Sequence, residues 1–296
     1  MKDWKMKFEA YRLTPVEKVN GIWFKRDDKY MPFADIPLSG GKVRQAISLL
    51  GVNQDRIRNE CGGNVWTSTN IDSPQGVIVA RTASAFGFKP TVLFGGTKME
   101  SLMKRPLAQN ARACGAEFRL CRAPWESAMN YEVRRLAETE KFFYIKFGIN
   151  IDADRESILE TTAFQVQNLP KNLDVLIVPC GSCITFTGIL MGLKKWNIAV
   201  KRIVGIQISG KNLADYPRTA LDFSCPKYDF LVSSDWNYHS KLNVEICRDF
   251  VLDPIYEAKA WTYAQTHVPE IAAGKRVCFW CVGNSGMVRK KAYSLQ

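Results

Sequence analysis

Histidine is nearly absent from this sequence, and several other common features are missing altogether. Only two of the 296 residues are histidines, His239 and His267, which leaves little room for a histidine triad or a histidine-rich metal site. No apolar run approaches the roughly 18 residues that a membrane-spanning helix needs, and the charged, amphipathic start lacks the apolar core of a signal peptide. We therefore predict a soluble, intracellular protein that acts in the cytoplasm and not at a membrane.

Acidic residues are outnumbered by basic ones. The chain has 41 lysines and arginines against 29 aspartates and glutamates, and its formal net charge at pH 7 is +12. The basic residues form local clusters and no long basic tail. This balance favours an anionic partner such as nucleic acid, although a generally basic surface would give the same composition.

The cysteine content does not indicate a disulfide framework. The nine cysteines are odd in number and scattered along the chain, unlike those of a small secreted protein. Two CxxC pairs, Cys180/Cys183 and Cys278/Cys281, raise the alternative of a zinc site. The second pair lies in an alternating apolar segment, which predicts a strand with the two side chains on opposite faces. Buried apolar cysteines are therefore favoured over a metal site.

Short apolar runs alternate regularly with amphipathic stretches. Strands are predicted at 21–28, 64–69, 90–96, 117–122, 142–147, 173–181 and 202–209. Helices are predicted at 42–57, 74–87, 100–115, 126–140, 154–168 and 184–196. This alternation predicts an α/β fold with mainly parallel sheets that helices cover on both faces.

The alternation forms two series, which predict two packed three-layer α/β lobes within a single unit of residues 1–296. The smaller lobe is expected at about 45–150, and the larger lobe combines residues 1–44 with 151–296. No proline- or serine-rich linker separates the series, so the lobes are expected to share an interface. Sites in such folds lie at the carboxyl ends of the strands, which places a candidate site in the cleft between the lobes.

Three loops carry residues that could act together. In LSGGKVRQ (38–45), Lys42 stands at a loop–helix junction behind two glycines. In PCGSCITFTG (179–188), small residues before a helix would let backbone N–H groups and a hydroxyl bind an oxyanion. In DPIYEAKA (253–260), Glu257 opens a helix. Taken singly, these are also consistent with a solvated lysine, a plain turn and a helix-dipole partner.

Taken together, an isolated lysine, a phosphate site that is not a nucleotide loop and a carboxylate suggest pyridoxal 5′-phosphate (PLP). The cofactor's aldehyde would form a Schiff base with the lysine, and its phosphate would lie on the helix amino terminus. The carboxylate would keep the pyridine nitrogen protonated, so that the ring accepts electrons from a bond at the substrate's α-carbon.

The order of these motifs resembles the fold-type II PLP-dependent enzymes, the tryptophan synthase β superfamily, over about residues 12–288. It resembles in particular the branch of 1-aminocyclopropane-1-carboxylate deaminase and D-cysteine desulfhydrase. SGGKVRQ is similar to the GGNKxRK motif of that branch, and DPIYEAKA to its DPVYEGKA segment. The resemblance implies that Lys42 forms the Schiff base, that Glu257 contacts the pyridine nitrogen and that Tyr256 lies near the substrate.

Other segments extend the resemblance. TSTNIDSPQ (67–75) can be laid without gaps on the family's TxGxIQSNH-like loop, which implies that Ser73 contacts the substrate. WNYHSK (236–241) resembles a GYG-type segment, which implies that Tyr238 lies near the substrate. GSCITFTG resembles the glycine-rich phosphate loop, and the cofactor-binding residues that it implies are Gly181, Ser182, Cys183, Ile184 and Thr185.

The sequence departs from the family pattern at several positions. Gly41 precedes the lysine where the family has asparagine, and Pro74 stands where the family has an asparagine that contacts the cofactor's phenolic oxygen. Asn70 is the candidate to supply that contact instead. Cys183 and Ile184 occupy positions where the family loops tend to carry smaller residues. The substrate side has drifted most from the family pattern, so the deaminase or desulfhydrase reaction is less defined than the cofactor.

Three functions are open at this point. The first is a PLP-dependent enzyme, of lyase, deaminase, decarboxylase or isomerase type, acting at the α-carbon of a small amino-acid-like substrate, with Lys42 moving protons. The second is the same chemistry on an amino acid attached to DNA, as in phage-type thymidine hypermodification in a host cytoplasm, suggested by the charge of +12. The third is a non-catalytic binding protein of this fold. Relatives of the fold are commonly dimers, so a homodimer is expected.

Overall fold

The computed structural model describes residues 4–149, 154–208, 213–221, 223–237 and 239–293. Its strands are β1 (Val16–Val19), β2 (Ile22–Arg26), β3 (Asn64–Thr69), β4 (Lys89–Gly95), β5 (Glu117–Cys121), β6 (Phe143–Ile145), β7 (Leu173–Cys180), β8 (Val200–Gln207), β9 (Asp229–Val232), β10 (Glu245–Cys247), β11 (Phe250–Val251) and β12 (Val277–Cys281).

The helices alternate with these strands along most of the chain. They are α1 (Trp4–Lys7), α2 (Gly41–Val52), α3 (Gln54–Cys61), α4 (Gln75–Ala85), α5 (Met99–Met103), α6 (Pro106–Ala113), α7 (Glu126–Leu136), α8 (Arg155–Phe164), α9 (Ile184–Lys195), α10 (Tyr216–Ala220), α11 (Glu257–His267), α12 (Pro269–Ala272) and α13 (Gly286–Lys290). Within the described ranges, no helix combines the length and the apolar character needed to cross a membrane.

The larger sheet has six strands in the order β1-β2-β12-β7-β8-β9. All neighbouring pairs are parallel except β1 and β2. Along β7, alternate side chains enter different cores: Val175 and Ile177 pack with Trp261 of α11, whereas Leu176 packs with Phe186 of α9. Helices therefore cover both faces, which explains why this strand is a continuous apolar run.

The smaller sheet has four parallel strands in the order β5-β4-β3-β6. On one face, Val65 and Val92 pack with Val77 of α4, and on the other, Leu93 packs with Met129 of α7. A third sheet pairs β10 with β11. The predicted α/β fold with mainly parallel sheets is confirmed. All strands of the four-stranded sheet come from residues 64–145, and the division into lobes at the bounds given above stays a prediction.

Some element boundaries differ from the prediction. The helix expected at 42–57 is two helices, α2 and α3, separated at Asn53, whose side-chain amide donates to the carbonyl of Leu49 (3.0 Å). Such local side-chain hydrogen bonds compete with the backbone pattern of a helix. The stretch 100–115 is also two helices, with Pro106 in the first turn of the second, where its missing N–H is tolerated. β1 and β9 to β11 were not predicted because they are short and half-polar.

The second CxxC pair lies on a strand, as predicted. Cys278 packs with Leu176 and Trp280 on one face of β12, whereas Cys281 packs with Phe279 on the other. Two sulfurs on opposite faces of a sheet cannot ligate one metal ion. In the part of the chain that the structure describes, no group of three potential ligands from histidine, cysteine, aspartate and glutamate is placed to hold a metal.

Candidate active site

A pocket lies at the carboxyl ends of β7 and β12, beside the amino terminus of α2. Its wall combines segments that are far apart in sequence: the loop before α2, the start of α4, the loop before α9, the loop before α11 and the loop after β12. Among the residues predicted from the sequence, those that line it are Lys42, Gly181, Ser182, Cys183, Thr185 and Tyr256.

The two glycines before Lys42 allow two backbone segments to touch. Gly40 has φ of +90°, and a Cβ atom there would lie 2.2 Å from the carbonyl oxygen of Val282 and 2.3 Å from the Cα atom of Gly283. The N–H of Gly41 donates to the same carbonyl of Val282 (2.8 Å). Only glycine combines that backbone conformation with that close approach. The contact fixes the start of α2, and with it Lys42, against the end of β12.

Lys42 is half-buried in the pocket wall. Burial lowers the pKa of its ammonium group to about 8; the guanidinium of Arg289 also lowers this pKa, and the carboxylate of Asp253 opposes the shift. A lysine reacts as a nucleophile only in its neutral form, so a lowered pKa increases the reactive fraction near neutral pH. The Nζ atom lies 5.9 Å from the centre of the Phe147 ring.

Arg289 is a functional candidate that the sequence analysis missed. Its Nε atom donates to the hydroxyl of Ser285 (2.7 Å), and its Nη1 atom donates to the carbonyl of Asp72. It therefore joins α13 to the loop after β3 and places a positive charge near Lys42. The only signal in the sequence is that Arg289 belongs to a short basic cluster, RKK at 289–291, and its composition does not distinguish it from general surface charge.

The loop before α9 has the properties of a phosphate site. Within the described residues, the backbone N–H groups of residues 181–185 donate no hydrogen bond, and α9 begins at Ile184. The hydroxyl oxygen of Thr185 accepts from the side chain of Gln45 (3.0 Å), so its own proton can still be donated. A Cβ atom on Gly181 would lie 2.7 Å from the Tyr256 ring. Unpaired N–H groups at a helix amino terminus fit the phosphate of PLP.

The larger residues in this loop do not obstruct it. Cys183 adopts a left-handed conformation (φ +60°), its side chain is buried, and its Sγ atom lies 3.7 Å from Oε1 of Gln207. The side chain of Ile184 is also buried in the core. Both residues can therefore offer their backbone N–H groups to a ligand while their side chains pack elsewhere.

Gly41, where the resembling family has asparagine, faces a buried polar cluster. A Cβ atom there would lie 3.2 Å from Oγ1 of Thr185 and 3.4 Å from Oδ2 of Asp27. The other carboxylate oxygen of Asp27 is paired with the guanidinium of Arg44 (2.8 Å), and both side chains are fully buried. A larger residue at position 41 would press on Thr185, so glycine preserves the position of the hydroxyl beside the phosphate loop.

Glu257 lies behind the pocket wall and is almost completely buried. Its two carboxylate oxygens accept from the backbone N–H groups of Gly283 (2.9 Å) and Asp253 (3.0 Å). Burial raises its pKa well above 4.5, and the nearby carboxylates of Asp28 and Asp253 raise it further. Within the described residues it forms no ion pair. A protonated ring nitrogen would supply the cation that a buried carboxylate requires, so the residues present fit PLP.

The remaining predicted residues do not line this pocket in the part of the chain described. Ser73 is buried, and its hydroxyl accepts from the N–H of Gln75 (3.3 Å). Asn70 lines a neighbouring pocket, and its Oδ1 atom accepts from the N–H of Asp72 (3.0 Å). Pro74, from the same loop, does line the pocket of Lys42. Tyr238 lies outside the described residues. The substrate roles of Ser73 and Tyr238 and the cofactor role of Asn70 stay predictions.

His239 connects two loops at the rim of the site. Its Nδ1 atom lies 2.7 Å from a carboxylate oxygen of Asp72, and about two thirds of its side chain is exposed. The pair ties the segment around His239 to the loop after β3. Both residues are consistent with a role in loop geometry.

The chain belongs to the pyridoxal-phosphate dependent enzyme family, whose pattern matches residues 7–232. PLP is therefore its cofactor, and the chain is an enzyme of this class. It is similar to the O-seryl-dTMP PLP-dependent decarboxylase of Salmonella phage ViI, with 25% identity over 93% of this chain and 82% of that protein.

Two solved structures share the fold. An ACC deaminase homologue superposes with a TM-score of 0.74 at 18% identity, covering 96% of this chain and 95% of the other. An O-acetylserine dependent cystathionine beta-synthase from Helicobacter pylori superposes with a TM-score of 0.67 at 16% identity, covering 98% of each chain. The predicted fold-type II architecture is confirmed.

Proposed function

We propose that this enzyme binds PLP through Lys42 and breaks a bond at the α-carbon of an amino acid carried by a thymidine nucleotide, with loss of the α-carboxylate as the favoured reaction. The observation that carries the proposal is the pocket in which Lys42 faces the loop of residues 181–185 and Tyr256. The similarity to the phage O-seryl-dTMP decarboxylase supports the choice of reaction and substrate.

Three groups would hold the cofactor. Lys42 would bind its aldehyde carbon, the N–H groups of residues 181–185 and the Thr185 hydroxyl would bind its phosphate, and Glu257 would face its ring nitrogen across Gly283. When bound, PLP supplies a conjugated ring that takes up the electron pair of the bond broken at the α-carbon.

The residues of the chain would then bind and orient the substrate and move its protons. The amine of Lys42, with a pKa of about 8, can release or return a proton at the α-carbon near neutral pH. Ser73 would hold the substrate carboxylate, and Tyr256 and Tyr238 would orient the amino acid. One N–H of the Asn70 amide would take the place of the family asparagine that Pro74 replaces, which leaves its second N–H for another partner.

The first test is the absorption spectrum of the protein with added PLP, before and after borohydride, for the wild type and Lys42→Ala. We expect a band that borohydride removes, with the reduced adduct mapped by mass spectrometry to Lys42. Lys25 is an internal control, because burial also lowers its pKa to about 8, but its Nζ atom is bonded to Thr14 and Asn168 instead of lining the pocket. A band of equal strength in Lys42→Ala, or an adduct on Lys25 alone, would refute the role of Lys42.

The second test compares substrates on the PLP-loaded enzyme. Release of carbon dioxide is measured with O-seryl-dTMP and with free serine at equal concentration. Faster release from O-seryl-dTMP supports the nucleotide-linked substrate. If only serine is turned over, the substrate is a free amino acid and not a nucleotide-linked one. If neither compound reacts and Lys42 forms no adduct, the protein is a non-catalytic member of the fold.

Two partner proposals accompany this function. A homodimer would be detected by sedimentation equilibrium of the PLP-loaded protein. Contact with DNA, suggested by the net charge of +12, would appear as affinity for duplex DNA that falls steeply as the salt concentration rises.

A further inference from the structure

A second pocket adjoins the pocket of Lys42, at the carboxyl ends of the four-stranded sheet. It is formed by residues that follow β3, β5 and β6, including Asn70, Trp125 and Phe147. Phe147 lies between the two pockets: it lines the second pocket, and its ring centre lies 5.9 Å from the Nζ atom of Lys42 in the first. Asn70 and Pro74 belong to one short loop, with Asn70 in the second pocket and Pro74 in the first. The two pockets are therefore neighbours along this loop, which places the second pocket beside the amino acid that the first would hold.

Trp125 gives this second pocket an aromatic surface. Trp125 directly precedes α7 in the sequence. It is 69% exposed, the highest value for any large aromatic residue in the described part of the chain. Its backbone carbonyl accepts from the N–H of Met129 (3.1 Å), a contact that any residue could make. The ring is therefore not needed to build the helix. Exposed aromatic rings beside a pocket are suited to stacking on the flat face of a nucleobase.

The polar groups of the pocket suit one kind of base. Asn70 uses its side-chain oxygen to accept from the N–H of Asp72, and Asn130 uses its oxygen to accept from the hydroxyl of Tyr144 (2.9 Å). Across the described ranges neither side-chain NH₂ group donates a hydrogen bond, so two donors remain for a ligand. Glu126, also in the wall, has a carboxylate that accepts hydrogen bonds and disfavours a phosphate.

Thymine and uracil match this set of groups. Each presents two carbonyl oxygens, one on either side of a ring N–H, so the two amide donors are complementary to its edge. Cytosine has an amino group in place of one carbonyl, and it would place a donor against an amide donor. Glu126 would repel the phosphate of a nucleotide, which leaves the base as the part that enters the pocket.

We propose that this second pocket is a nucleobase subsite that takes the thymine or uracil base of the nucleotide carrying the amino acid. The proposal rests on the proposed function, because only a nucleotide-linked substrate would fill both pockets. Trp125 stacks on the base, Asn70 and Asn130 donate to its carbonyl oxygens, and Phe147 separates the base from the reacting carbon.

The test is binding of thymidine monophosphate to the PLP-saturated enzyme by calorimetry. Trp125→Ala is expected to weaken binding roughly tenfold or more, as is typical for loss of one base–aromatic stack, and Trp125→Phe is expected to retain most of the affinity. Tyr131→Ala is the matched control, because Tyr131 is also an exposed aromatic residue (65%), lies in the helix that Trp125 precedes and does not belong to the pocket wall. Cytidine monophosphate is expected to bind more weakly than thymidine monophosphate.

Several results would overturn the subsite. They are equal affinity of wild type and Trp125→Ala, no measurable binding of thymidine monophosphate, and equal loss of affinity in Tyr131→Ala. The borohydride adduct on Lys42 is measured on the same samples. An adduct without nucleotide binding removes the subsite and leaves the cofactor site intact, whereas nucleotide binding without an adduct removes the catalytic role of Lys42 and leaves the subsite.

Discussion

The two sides of the candidate site are built in different ways. On the side of the six-stranded sheet, Gly40 and Gly283 are in backbone contact, and both carboxylate oxygens of Glu257 are hydrogen-bonded in a buried environment. On the side of the four-stranded sheet, Trp125 is largely exposed and Asn70 borders an open pocket. Close packing leaves little freedom to change residues on the first side, whereas the second side can change without loss of the fold. A common cofactor site can therefore serve different substrates.

The largest effect on stability is expected from a substitution at Gly40, where the backbone contact on the side of the six-stranded sheet is tightest. Gly40→Ala would place a Cβ atom 2.2 Å from a backbone carbonyl at φ of +90°, and we expect a loss of about 4 kcal/mol or more in the free energy of unfolding. Gly21→Ala is the matched control, because Gly21 has a similar φ of +84° with no atom within 4 Å of the added Cβ. It should cost only about 1–2 kcal/mol, the penalty for the left-handed conformation.

Urea unfolding of both variants measures this difference. Equal losses in Gly40→Ala and Gly21→Ala would mean that the contact between Gly40 and Gly283 is not tight, and the contrast between the two sides of the site would then fail.

An intermediate effect is expected at the buried carboxyl of Glu257. Glu257→Gln puts an amide NH₂ group against a backbone N–H donor, and the lost hydrogen bond should cost about 1–3 kcal/mol at low pH. Because burial raises the pKa of Glu257, the folded protein holds a proton that the unfolded chain releases above about 4.5. The wild type should therefore lose stability as pH rises above 4.5, and the variant should lack this contribution.

The measurement is the free energy of unfolding of the protein without added PLP between pH 4 and 8. The difference in the free energy of unfolding between wild type and Glu257→Gln should become smaller as pH rises. Glu117→Gln, on the exposed start of β5, serves as the control for a general charge effect. A gap that stays constant with pH would show that Glu257 is not held in the protonated form.

The smallest effect is expected at Arg289, which joins the two sides through Ser285 and Asp72. Because the Arg289 guanidinium lowers the pKa of Lys42, Arg289→Gln should raise this pKa. The neutral fraction of Lys42 at pH 7 then falls, and the pH profile for formation of the borohydride-reducible adduct should move to higher pH.

A stopped-flow measurement of adduct formation between pH 6 and 10 tests this shift. Arg56→Gln, which removes a largely exposed arginine paired with Glu60, should leave the profile unchanged. An Arg289→Gln profile identical to the wild type would mean that the charge at position 289 does not act on Lys42.

Local patterns in the sequence were enough to predict the fold and the cofactor. The apolar run of β7 indicated a buried parallel strand, and the small residues before α9 indicated an anion site, because both depend on neighbouring residues. The helix break at Asn53 was missed, because apolar periodicity does not record the side-chain hydrogen bond that Asn53 makes to Leu49. Arg289 and Trp125 were missed because nothing in their local sequence distinguishes them from other surface residues.

By itself, the sequence determined the α/β architecture, the lysine at the start of α2 and the family of the enzyme, because periodicity and short motifs act over a few residues. Only the tertiary structure decided that Gly40 meets Gly283, that Glu257 is buried behind the pocket wall, and that Asn70 and Trp125 border one pocket. These contacts include pairs that are 26 positions apart, as for Glu257 and Gly283, and about 240 positions apart, as for Gly40 and Gly283. Their geometry depends on how the strands are ordered and packed, and no local pattern records it.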